Sequence, residues 1–279
     1  MAAEERKSTS RGQLRPQITS QGSPLLSQLQ IEHGPAGLLG RFFLKAEMDA
    51  RQRGVWLALA SLRDLAIAKA RVSPDWASMP MFLPEADAIF DDRAFCILGY
   101  DANGEVVATQ AARCYEWSST TLTKESESMR LFYGTGARPK GAHCTLSAPA
   151  AHLITGRVVY SGGGWYHPDY RGRELSAIIP RISRALAYTR WLTDFTVSFV
   201  EWALVKKGVV ERYGYSHVDE KVEFGGVFPT FVFTGALAWM PQEELLEDLK
   251  RFLRGDVLSE VDAGIETGGR HKKRLSAAG

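Results

Sequence analysis

One stretch of the 279-residue chain constrains the fold more than any other. Arg157-Val158-Val159-Tyr160 is a β-branched, strand-like run that passes into Ser161-Gly162-Gly163-Gly164-Trp165-Tyr166. Glycines inside a strand pattern mark a bulge or a close backbone approach. A charged turn follows, His167-Pro168-Asp169-Tyr170-Arg171-Gly172-Arg173, and then apolar residues recur at helical spacing: Leu175, Ile178, Ile179, Ile182, Ala185 and Leu186. The order is strand, glycine-containing turn, helix. A turn of this kind points successive backbone N–H groups inward at a helix N-terminus, and the positive end of the helix dipole makes that nest attractive to an anion.

The flanking sequence alternates in the same way. Phe95-Cys96-Ile97-Leu98-Gly99-Tyr100 and Val106-Val107-Ala108-Thr109-Gln110 bracket Asp101-Ala102-Asn103-Gly104, a hairpin pattern in which Asn103-Gly104 supplies the positive φ of a tight turn. Phe195 to Val200 reads as a strand, Ala203 to Arg212 as a helix with Tyr213-Gly214-Tyr215 as its exit, and Val227 to Trp239 as one or two strands. Pro241 to Leu253 is an amphipathic helix with Leu245, Leu246, Leu249, Phe252 and Leu253 on its apolar face. Near the start, Leu39, Phe42, Phe43, Ala46, Ala50, Val55, Leu57, Leu59, Leu62 and Leu65 predict one long helix, or two meeting near Gly54. Residues 118–141, polar and then rich in Gly and Pro, read as an insertion or a flexible substrate-facing loop. The alternation predicts an α/β (α+β) domain with a mixed sheet flanked by helices. Four segments result: a disordered tail at 1–24, an N-terminal helical extension and linker at 25–90, the main domain at 91–256, and a flexible basic tail at 257–279.

Composition narrows the partners. With 45% apolar and 24% charged residues, the chain is neither collagen-like, nor a disulfide-stapled miniprotein, nor wholly disordered. Lys and Arg number 34 against 32 Asp and Glu, but residues 1–30 and 268–279 together carry +6, leaving −4 on the body. A nucleic-acid enzyme carries its basic stripe on the folded domain, so this balance argues against that partner, and the run Arg270-His271-Lys272-Lys273-Arg274 reads as a solvated tail. The longest uncharged stretch, Gly225 to Gln242, is broken by Pro229, Gly235 and Pro241, so no membrane span is expected. The N-terminus lacks the apolar run of a secretory signal, which makes the cytoplasm the default expectation. Cys96, Cys114 and Cys144 read as buried reduced thiols. His143, Cys144, His152 and His167 lack the paired short spacings of a metal site, so no metal is expected. No Gly-x-Ser-x-Gly elbow supports a serine hydrolase, and the glycines at 134–141 lack the Gly-Lys-(Ser/Thr) ending of a nucleotide loop.

The run Trp165-Tyr166-His167-Pro168-Asp169-Tyr170-Arg171-Gly172-Arg173 leading into a helix resembles the acetyl-CoA-binding motif of the GNAT superfamily of N-acyltransferases. The resemblance extends over the order of elements from about Phe95 to Trp239. It implies a mixed, mostly antiparallel GNAT-like sheet and an acyl-CoA co-substrate whose diphosphate sits on the turn. Cofactor contacts then fall on Trp165, Tyr166, His167, Arg171, Gly172, Arg173, Leu175 and Ser176, with the two arginines supplying charge-assisted hydrogen bonds. The glycine-rich strand is splayed, leaving edge amides free for the pantetheine arm. The implied acceptor is a primary amine, on a small molecule or a protein, and the body charge favours a cationic one. The chain is read as a monomer or a homodimer.

Two departures from the motif bear on chemistry. Glu174 stands where relatives have the second glycine of the loop, and Ser176 where they have Gly or Ala. A carboxylate at that place suits the dipole but repels a diphosphate, unless it turns outward to pair with Arg171 or Arg173. Pro180 falls early in the predicted helix and removes a backbone donor. Many relatives carry a tyrosine four residues before the exit glycine as the acid for the leaving thiolate, and that position is Val210. Tyr213 and Tyr215 are the candidate substitutes, and Glu201, after the second strand, is the candidate base. An acyltransferase and a GNAT-like binding or scaffold module without chemistry both remain open at this point.

Overall fold

The computed structural model describes residues 23–72, 78–89, 93–228 and 232–257. The predicted tail at 1–24 thus lies almost wholly outside the described residues, as does the basic tail beyond Val257. The strands are β1 (Ser23–Pro24), β2 (Trp56–Ala60), β3 (Ala94–Tyr100), β4 (Val106–Trp117), β5 (His143–Leu146), β6 (Gly156–Tyr166), β7 (Phe195–Glu201), β8 (His217–Gly225) and β9 (Phe233–Pro241). They form a single sheet in the order β1-β2-β3-β4-β6-β7-β9-β8-β5. Among the described residues only β6 and β7 run parallel, and α6 (Leu175–Trp191) makes the crossover between them.

Both faces of the sheet are covered, so strand residues alternate between two cores. Val159 enters the first, built from α1 (Ala36–Gln52), α6 and α9 (Gln242–Arg254), with Phe42, Phe43, Ile178, Ile182, Leu249 and Phe252. Val158 and Tyr160 enter the second. That side is closed by α2 (Leu62–Val72), by Met81 and Phe82, and by α4 (Leu122–Glu127) and α5 (Arg130–Tyr133), while the short turn of α3 (Ala86–Ile89) lies beside Pro80–Phe82. The remaining helices, α7 (Trp202–Val205) and α8 (Val209–Tyr213), follow β7. Helix α6 is buried along almost all of its 17 residues, and Pro180, at its sixth position, does not end it.

Several expectations are corrected. The predicted helix from Leu38 to Ala70 is interrupted by β2, which pairs antiparallel with β3 from Trp56↔Tyr100 to Ala60↔Cys96. The spacing of Val55, Leu57 and Leu59 is two, a strand period, and Gly54 at φ +78° ends the helix before it. Within segment 25–90, β2 joins the sheet and α1 packs on α6 and α9. Residues 118–141 are not a flexible loop. They hold α4 and α5, whose Leu131 and Phe132 are fully buried, and lead to the edge strand β5. The helix expected from Ala203 to Arg212 is two short turns separated by Gly208 at φ +66°. Strand β8 does not stand out in the sequence, because Glu220, Lys221 and Glu223 are charged and exposed and break up its apolar pattern. In the hairpin, positive φ falls on Gly104 alone, while Asp101 Oδ1 accepts from the Asn103 and Glu105 amides at 2.9 Å each.

Candidate active site

The corner after β6 is held by its own residues. The His167 amide donates to Val107 O at 2.8 Å, and His167 Nδ1 accepts from the Asp169 amide at 3.3 Å. Pro168 starts a single tight turn, in which the Tyr170 and Arg171 amides donate back to His167 O and Pro168 O. Gly172 and Glu174 then adopt positive φ, +77° and +57°, and α6 begins. Among the described residues, no protein acceptor meets the amides of Gly172, Arg173, Glu174, Leu175 or Ser176; the next one, of Ala177, donates to Glu174 O. Five consecutive donors at a helix N-terminus make an anion nest.

The side chains around it are arranged unevenly. Arg171 is exposed and donates through Nε to Tyr166 O at 3.2 Å. Arg173 lies 4.2 Å over the Tyr170 ring and donates to Arg53 O at 3.3 Å. Leu175 is buried in the first core, so only its amide faces the nest. Ser176 is half-buried in the first turn of α6. Trp165 packs edge-on against His167, and His167 edge-on against Tyr170. The Glu174 carboxylate does not pair with Arg171 or Arg173, as the sequence suggested. It pairs with Arg53, the residue that ends α1. Nothing local in the sequence could have found that partner.

Beside the nest the sheet opens. The parallel pairing of β6 and β7 covers only Val158↔Phe195, Val159↔Thr196 and Tyr160↔Val197. Beyond that point β6 stays with β4 up to Tyr166↔Ala108, while β7 stays with β9 up to Glu201↔Gly235. Two strand edges therefore diverge into a wedge. The cause is a bulge at Gly163, φ +63°, where the register of β4 and β6 shifts across Gln110. Gln110, buried, fixes the bulge by donating to Gly162 O at 3.0 Å and Ser161 Oγ at 3.1 Å, and Thr109 Oγ1 donates to Gly163 O at 2.8 Å. Inside the wedge, the Phe199 amide donates to Tyr160 Oη at 3.2 Å.

The three residues singled out for catalysis take different places. Tyr215 is buried at the apex, its hydroxyl facing Ser161 and Ser198, the first residue on each strand past the last pair. Arg184 lies 4.7 Å from its ring. Burial raises the Tyr215 phenol, and the Arg184 charge works against that. Tyr213 reaches from α8 toward the bulge: its Oη lies 3.9 Å from where a Cβ on Gly164 would sit. Burial, with Tyr215 adding, pushes its phenol up to about 12. Tyr166, whose hydroxyl is buried with no protein partner among the described residues, is raised well above the ordinary value by burial and then by Tyr213. Glu201 is exposed at the wide end, where β7 gives way to α7. Val210 is wholly buried, so the side chain at that position serves the core. The structure thus gathers the turn, Tyr166 and Tyr213 along one flank, with Tyr215 at the apex and Glu201 across the opening. Sequence reasoning missed Gln110, Ser161, Ser198 and Arg184, which read simply as strand and helix residues.

No family model matches the chain, and no curated protein does. Solved structures do. Aminoglycoside acetyltransferase AAC(6′)-Ib in complex with coenzyme A and kanamycin aligns at 12% identity and a TM-score of 0.39, over 68% of this chain and 96% of that one. A variant of the spermidine N-acetyltransferase SpeG from Vibrio cholerae aligns at 11% and 0.40, over 69% and 96%. An acetyltransferase from Streptococcus pneumoniae aligns at 9% and 0.40, over 67% and 99%. All three are acetyltransferases, and the last is one of the GNAT family. At this distance what the present chain can do is decided by its own nest and wedge.

Proposed function

We propose that this chain is an acyl-CoA-dependent N-acyltransferase that moves an acetyl or other acyl group from CoA to a primary amine by direct attack. The observation that carries the reading is the adjacency of a run of unpaired helix-start amides and two diverging strand edges. Five free amides at the start of α6 suit a diphosphate, and the diverging edges of β6 and β7 suit the amide-rich pantetheine arm. Arg171 adds positive charge at the rim.

The amine attacks the thioester carbonyl carbon, the C–S bond breaks, and the amine loses one proton as CoA gains one. Held beside the thioester, an amine needs no covalent enzyme intermediate, because positioning supplies much of the rate. With its phenol near 12, Tyr213 keeps its proton at neutral pH. It serves as an O–H donor to the departing thiolate and does not ionise on behalf of a thiol whose pKa is about 8.5. Glu201, open to solvent at the wide end, receives the ammonium proton directly or through water.

The test pairs binding with turnover. Acetyl-CoA raises the melting temperature of the full chain, the effect is largely lost in Arg171→Ala, and thiol release with a panel of primary amines falls about 10- to 100-fold in Tyr213→Phe. Absence of any shift with any CoA ester contradicts the reading. The wholly buried Val210 favours a second one, a binding module without chemistry. That reading predicts CoA binding with no thiol release from any amine in the panel.

A further inference from the structure

We propose that Arg53 is a positioning residue for the nest: it holds the Glu174 carboxylate and so keeps a fixed negative charge off the amides of residues 172–176. The inference rests on the acyl-CoA reading and deepens it.

Residue 174 is the N-cap of α6 and lies at φ +57°, a left-handed conformation that non-glycine residues rarely adopt. An acceptor side chain at an N-cap ordinarily turns onto the amides of the second and third helical residues, here Ser176, the last donor of the nest, and Ala177. Glu174 makes no such bond. Its carboxylate is taken instead by a guanidinium 121 residues away in the chain, and both side chains are less than one-fifth exposed.

Arg53 is itself anchored. Its Nη1 donates to Asp49 O at 2.9 Å, and its carbonyl accepts from Arg173 Nη1 at 3.3 Å. It ends α1, which packs on α6 and α9, so the guanidinium is presented from a rigid element. Without it, the anion nearest the nest is Glu174, tethered to the nest's own backbone. An intramolecular carboxylate competes at high effective concentration and repels a diphosphate as well.

Calorimetric titration of the full chain with CoA, and separately with inorganic pyrophosphate, tests this. Arg53→Ala is expected to bind both at least about tenfold more weakly than the unaltered chain, the worth of one nearby charge. Arg53→Ala combined with Glu174→Gly is expected to return to within about threefold, and Arg53→Lys to fall between, since a point charge replaces the fork. Rescue by removal of the carboxylate is what a merely structural role for Arg53 would not produce. Unchanged binding in Arg53→Ala overturns the proposal, and so does a double variant as weak as the single one. If Glu174→Gly binds CoA where the unaltered chain does not, the nest stands and the role of Arg53 falls. If none of these chains binds CoA, the acyl-CoA reading itself is wrong and takes the proposal with it.

Discussion

At residue 214 conformation and space coincide. Gly214 ends α8 at φ +82°, and a Cβ there would collide with Arg181 Nη2 and sit 2.7 Å from Asp248 Oδ2. Those two residues form a buried pair, Nε to Oδ2 and Nη2 to Oδ1 at 2.9 Å, and Arg181 also donates to Arg212 O at 2.7 Å. Arg184 donates to Tyr213 O from the same helix. The end of α8, and with it Tyr213, is held by a buried ionic cluster that tolerates no side chain at 214. Gly214→Ala is therefore expected to destabilise the fold by about 3 kcal/mol, from left-handed strain and displacement of the pair. Chemical denaturation measures it, and a loss under about 1 kcal/mol shows that the cluster yields freely. Residues of this kind divide sharply in legibility. The corner at His167-Pro168 and the glycine at 172 are local signals and were read from the sequence. The partner of Glu174 and the cluster under Gly214 join residues far apart in the chain, and no local pattern encodes them.

Among the elements, the sequence was most legible where periodicity and punctuation agreed. The hairpin, β6, α6, β7 and α9 all appear close to where their patterns place them. Strand β2 was lost to the neighbouring helical pattern, because five residues between two helices carry too few periods to announce themselves. Strand β8 was lost for a different reason. Charged side chains line its exposed positions, and they mask the strand pattern that its pairing with the following β9 and with the distant β5 makes real. The segment at 118–141 misled through composition, since its polar and glycine-rich flanks conceal one apolar anchor. Phe132 on α5 packs against Phe199 and Phe224, with ring centroids 6.5 and 5.1 Å away, and thereby joins the helix to β7 and β8. Phe132→Ala should cost about 3–5 kcal/mol, the range of a buried aromatic deletion. Equilibrium unfolding reports it, and a surface-like cost below about 1 kcal/mol restores the loop reading.

Across the whole molecule, the same two-sided burial that makes the sheet stable makes it sensitive to alkali. Burial pushes the Tyr100 and Tyr213 phenols and the Cys114 and Cys144 thiols up to about 12. In the unfolded chain these groups ionise near their ordinary values, about 10 for Tyr and about 8.5 for Cys. Above those values the unfolded state binds fewer protons than the native one, so stability falls as pH rises. Full stability is expected below about pH 8.5, with progressive loss toward pH 12. Tyrosinate absorbance should then appear together with unfolding. Reversible titration of these phenols near pH 10 in a chain that stays folded contradicts the burial assigned to them.

The central claim is that the backbone itself, through the amides at the start of α6 and the open edge of β6, grips an acyl-CoA. Amide chemical-shift mapping of the isotope-labelled chain during titration with CoA tests it most directly. The account predicts saturable shifts concentrated at residues 172–176 and at Ser161 to Tyr166. Shifts that saturate elsewhere while those amides stay unmoved, or no saturable shift at all, contradict it.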